Sequence, residues 1–202
     1  VRRQWPSEAI VTEEDVDLAL PDQPSEIVLL GQVQQMLVEA KTLPDFRRVM
    51  AAAGAAVDTA RRYKKLLEAQ KMAGETVAAT NRAANELAGV HIEAQAGAGR
   101  VIQEMKASGE VADRPGNPQF TGRRGIREVT GAKSDTTAED NAKRWEKIAD
   151  IPPEVRSTYV RQAQDAGSEV TTRGLLRFAQ EPKPPGQSTR TDVEIAYDEV
   201  VA

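Results

Sequence analysis

Apolar positions first fall into a helical rhythm near Ser25. Ile27, Leu30, Val33, Leu37 and Ala40 recur at steps of three and four, which predicts a helix with one apolar face in need of a partner. "KTLPDFRRVM" restarts the chain: Thr42 is placed to cap, Pro44 suits a first turn, and Asp45 stands where a capping box wants a carboxylate. Phe46, Val49, Met50, Ala53, Val57, Ala60, Tyr63 and Leu67 carry a second helix onward, with Gly54 its weak point and Gly74 the joint after it. A third helix, about 75–107, sets Leu87, Val90, Ala94, Val101, Ile102 and Met105 on one side. Its small residues Ala96, Gly97, Ala98 and Gly99 would let another helix approach closely. At ~1.5 Å per residue this helix runs near ~50 Å. Beside the second helix it makes an elongated hairpin, a shape suited to pairing with another copy.

The rhythm stops at "SGEVADRPGNPQFTGRRG", whose glycines and prolines predict a linker. Beyond it, "IREVTG" is a short helix ending at Gly131, and "TTAEDNAKRWEKIAD" is a firm one. "PPEVRSTYVRQAQDAG" has proline at its start and glycine past its end, and "VTTRGLLRFAQ" closes the set. The expectation is an all-α protein in five parts: an arm over 1–24, the hairpin and self-association region over 25–108, a linker over 109–122, a small helix-turn-helix-like domain over 123–180, and an acidic tail over 181–202. The arm holds one further helix-like stretch, "SEAIVTEEDVDLAL", in which "TEED" reads as a capping box.

Composition sharpens this picture. Aromatics are only 4% of 202 residues and alanine supplies much of the apolar content, which favours thin helix-on-helix packing over a sandwich core. Without cysteine there are no disulfides, thiolate metal sites or cysteine nucleophiles, in keeping with a reducing compartment. No apolar run approaches the roughly 20 residues needed to span a bilayer, so a membrane is not an expected partner and the bacterial cytoplasm is the expected location. The net charge of -4 conceals acids crowded toward both ends ("TEEDVD", "TDVEIAYDEVVA") and clustered arginine and lysine between them.

Those cations supply the candidate chemistry. On the helix from Thr136, Ala138, Ala142, Trp145 and Ala149 share a narrow arc, so tryptophan plugs a small core and that arc faces inward. Thr136, Thr137, Asn141, Lys143, Arg144 and Lys147 occupy the other faces; such side chains donate to base edges and phosphates in a major groove. Glu139 is assigned as the capping-box partner of Thr136. Upstream, Arg123, Arg124 and Arg127 lie on or before the short helix that in a helix-turn-helix crosses the phosphate backbone, and Lys133 lies in the turn. The competing account is a solvated cationic face with no ligand. The five-residue turn "GAKSD" is longer than the usual three or four.

From Thr42 to Ala179, and above all in "RWEKIADIPPEV", the chain resembles phage and mobile-element proteins related to ParB-type DNA-binding proteins. That group has a helical N-terminal half, a short helix, a helix containing "RWQKLA", and then "IPEEEFE"; ParB-type proteins follow a similar helix with "LPEEV" inside a domain that binds DNA. The resemblance implies DNA binding, and the cationic faces of the 136–149 helix make duplex DNA, read by that helix, the expectation. Two departures qualify it. Where the related proteins carry arginines on the long helix, this chain has His91, Glu93, Ala96 and Gly97, and the ParB-type nucleotide-binding motifs are missing, which argues against a nucleotide-driven clamp.

Little points to an enzyme. His91 is the sole histidine and reads as a helix-surface residue, so neither a histidine-pair metal site nor a His-Cys pair can be built. "AGAGR" lacks the preceding strand and the "GK[ST]" of a phosphate loop. Glu13/Glu14 and Glu139/Asp140 are sequence neighbours that diverge on a helix, unsuited to paired acid-base work. The expectation is a non-enzymatic DNA-binding protein without cofactor or metal, acting as a homodimer or higher homo-oligomer. The alternative is an assembly factor whose hairpin binds a protein partner.

Overall fold

Thr42 begins the longest well-capped helix with a reciprocal pair of bonds: its side chain accepts from the Asp45 N–H, and the Asp45 carboxylate accepts from the Thr42 N–H at 3.0 Å. The Thr42 hydroxyl also donates to that carboxylate at 2.6 Å and, with the Thr42 N–H next, holds the Asp45 carboxyl below its ordinary range. The structure, a computed structural model, describes residues 25–111 and 125–180. The expected arm and tail, most of the expected linker, and Arg123 and Arg124 fall outside the described residues.

Seven helices make up the described chain: α1 (Ser25–Glu39), α2 (Leu43–Ala69), α3 (Gly74–Ala107), α4 (Ile126–Thr130), α5 (Asp135–Ala149), α6 (Pro153–Asp165) and α7 (Thr172–Gln180). The all-α expectation holds. Gly54 does not interrupt α2, and α3 starts at Gly74, the expected joint, one residue before the expected 75. None of the described helices is long and apolar enough to cross a membrane.

α2 and α3 run antiparallel. The Phe46 ring at the start of α2 lies against Gly97 late in α3, and Lys64 near the end of α2 donates to the Asn81 side chain at 3.1 Å early in α3. α1 lies along this pair through Val33, with Leu30, Met36 and Leu37 partly covered.

α3 departs from its sequence pattern. The periodicity predicts an apolar stripe on one side, yet from Ala94 to Gly99 every residue is buried. The reason is that helices cover it on several sides: α2 on one flank, and α5 and α6 on others. A helix apolar or small all round belongs in the middle of its neighbours. Gly97 meets Phe46 of α2, and a Cβ on Gly99 would overlap the Trp145 carbonyl oxygen of α5. The small residues do admit close helix approach, but the occupants are helices of the same chain.

The core therefore runs on past the stretch expected as a linker. Ala138, Ala142, Trp145 and Ile148 of α5 belong to one buried cluster with Leu87, Ala98 and Ile102 of α3. Polar contacts complete the join. The buried Asn85 side chain donates to the Ser168 carbonyl at 2.8 Å and accepts from the Val170 N–H at 3.0 Å, clamping the α6–α7 turn to α3. Thr172 donates to Gln95 at 3.0 Å. Arg156, only 2% exposed, donates to both Glu93 carboxylate oxygens at 2.7 Å and to the Ile151 carbonyl in the α5–α6 turn.

Candidate nucleic-acid interface

α5 is oriented by what it buries. Ala138, Ala142, Trp145 and Ile148 lie against the core, with Ala149 half-covered, so the inward arc is the one read from the sequence with Ile148 added. Three further contacts fix its C-terminal end on α3: Trp145 over Gly99, Glu146 paired with Lys106, and Gln103 donating to Asp150 at 2.8 Å. The opposite side must then face away from α3, the spine of the fold.

That outer side carries Thr136, Lys143 and Lys147, with Thr137 and Arg144 beside them, all exposed. Of Thr137 and Asn141, the two side chains the sequence favours as base readers, Asn141 is half-buried and closer to the inward arc. Among the described residues Arg144 and Lys147 make no ion pair, whereas Lys143 lies 3.5 Å from Glu139 one turn earlier. Lys147 in the last turn and Asp135 in the first also complement the helix dipole, so part of this charge pattern serves the helix itself.

The start of α5 corrects one assignment. Ser134, not Thr136, is the N-cap, its hydroxyl accepting from the Thr137 N–H at 3.2 Å, and Thr136 lies inside the first turn. Glu139 is consequently no capping partner and pairs with Lys143 instead. The shift shortens the turn after α4 to residues 131–134, within the usual range for a helix-turn-helix.

α4 is a single turn ended by Gly131, whose φ of 61° is left-handed and suits glycine. Arg127 is exposed, 4.0 Å from Asp135 across the turn, and Lys133 is exposed in the turn itself. The Arg47 guanidinium, from the first turns of α2, rests against Gly131. Sequence reading passes over Arg47, since nothing local links it to a turn so far along the chain. Its arrival adds a cation to the side of the turn.

His91 does not lie on the open surface as expected. It is half-buried on the wall of a hollow of about 250 Å³, with Asp58, Arg61, Thr171 and Thr172 among the lining residues. Burial pushes its imidazole below the ordinary value of 6.5, favouring the neutral ring. Glu93 is committed to Arg156. Compared with known protein families, characterised proteins and solved structures, the chain matches none.

Proposed function

We propose that α4, the 131–134 turn and α5 form a duplex-DNA-binding unit of the helix-turn-helix kind, akin to the ParB-related proteins the sequence resembles. One observation carries this reading: α5 is pinned to the spine by its apolar arc, and the side turned outward holds Lys143, Arg144 and Lys147, with Lys133 and Arg47 at the turn. In this unit α5 enters the major groove. Arg47, Arg127, Lys133, Lys143, Arg144 and Lys147 neutralise phosphates, while Thr136 and Thr137 at the start of α5 meet base edges. Arg123 and Arg124 join the phosphate contacts. A homodimer would present two such helices to half-sites about one helical turn apart.

The test is retention of random-sequence duplex at several salt concentrations. Every phosphate that goes unneutralised makes the fall of log affinity with log salt shallower by about 0.9, so the combined change of Lys143, Arg144 and Lys147 to alanine should flatten it by roughly 2–3 and weaken binding at least ~10-fold. The fold should survive, as these side chains lie outside the core. Absent or salt-indifferent retention by the wild-type chain would refute the proposal.

A second reading, a helical assembly factor, is favoured by Val38, Leu66 and Met72, large apolar side chains that stay 78%, 52% and 39% exposed on the hairpin. Under it, the same triple change leaves protein binding intact after nuclease treatment.

A further inference from the structure

Two of the three large apolar side chains exposed among the described residues lie at the far end of the hairpin, where α2 turns into α3. Leu66 and Met72 are exposed there, and Tyr63 is only half-covered. Around them Arg62, Lys65 and Lys71 are exposed, and among the described residues none of the three makes an ion pair. Ala52 and Ala56 are partly and fully covered; the same face of α2 continues in steps of three and four through Thr59, which is exposed, and the half-covered Tyr63 to the exposed Leu66.

Helix lengths account for the gap. α1 has 15 residues and α2 has 27, so at ~1.5 Å per residue they run about 22 and 40 Å. The three residues between them turn the chain back on itself, so α1 retraces α2 from its start and its own first residue, Ser25, stops some 18 Å short of the hairpin's end by the same rise. Residues 1–24 precede α1 at that end. Pro21 to Pro24 span at most about 14 Å, and ahead of them "TEEDVDLAL" combines Glu13, Glu14, Asp15 and Asp17 with Val16, Leu18 and Leu20.

We infer that this acidic, apolar segment, residues 12–20, docks on the hairpin end of its own chain. Its carboxylates face Arg62, Lys65 and Lys71, and its apolar residues cover Leu66 and Met72. The N-terminal arm thus becomes part of the fold and covers apolar side chains that α1 is too short to reach. This assignment is independent of DNA binding, since the hairpin end and the outer side of α5 share no residue.

Zero-length carbodiimide coupling of the full chain tests it, because amide links form only between carboxylates and amines already in contact. At low micromolar concentration, links from Lys65 or Lys71 to Glu13, Glu14, Asp15 or Asp17 should dominate, within single chains when isotopically light and heavy protein are mixed. Arg62→Glu, which leaves both lysines in place, should cut their yield several-fold. Hydrogen exchange gives a second reading: Glu13→Lys with Glu14→Lys should speed exchange at 62–72 several-fold and leave α5 unchanged. Links confined to the acids of 191–202, links only between light and heavy chains, or no links with unchanged exchange would each overturn the assignment.

Discussion

α3 holds its C-terminal neighbours by two different kinds of seam. Toward α5 the contact is made by absence: Gly99 lacks a side chain, so the Trp145 backbone comes close enough to fill the space. Toward α6 and α7 the contact is polar, through Asn85, Glu93 and Gln95. The first seam depends chiefly on shape, with the Lys106–Glu146 pair and the Gln103–Asp150 bond confined to its end. The second depends on each buried polar group keeping its partner, because desolvation is offset only while the hydrogen bonds are made. A close-packed seam should therefore fail when anything is added, and a polar seam when one partner is taken away.

The strongest challenge to that contrast is Gly99→Val. The new side chain meets backbone rather than the movable end of a side chain, so α5 must part from α3. The expected cost is about 3 kcal/mol or more, read from urea unfolding, with a red shift of Trp145 fluorescence. A stability within ~0.5 kcal/mol of wild type would mean that the seam is looser than the packing indicates.

On the polar side the two halves of one ion pair should cost different amounts. Glu93→Ala leaves the guanidinium of Arg156 sealed at 2% exposure with no counter-charge, which should cost about 3 kcal/mol. Arg156→Met leaves a carboxylate already 38% exposed, which water can take over, so about 1 kcal/mol is expected. Equal losses, or the reverse order, would remove burial as the reason.

The smallest effect concerns His91. Burial lowers its folded pKa below 6.5, so the unfolded chain binds the proton more readily. The stability contributed by the neutral ring is complete above about 6.5 and declines as pH falls from there toward the folded value. A melting temperature followed from pH 7.5 to 5 should drop more in wild type than in His91→Gln. Parallel curves would show that the ring is freely hydrated.

What the sequence makes legible is local. The Thr42–Asp45 cap lies within four residues, and the inward arc of α5 is a repeat of three and four, so both are readable from spacing alone. The cap of α5 lies two residues from its expected place because "SDTTAED" offers several hydroxyls, and the choice among them depends on where the helix phase is set by Ala138 and Trp145 in the core. α3 hides its burial in alanine and glycine, which show little contrast between faces. The Glu93–Arg156 pair is separated by 63 residues and the Asn85–Ser168 bond by 83. Single polar residues at such distances leave no periodic trace, and the same is true of Arg47 beside Gly131.

The Asn85 clamp has a practical side. Any fragment that ends before the α6–α7 turn leaves behind an amide shaped for two backbone groups that are gone, set in a strip of alanine and glycine newly open to water. Such a piece would report aggregation in place of natural behaviour. Dissecting this molecule calls for point changes in the intact polypeptide, with scissors kept away from the spine's companions.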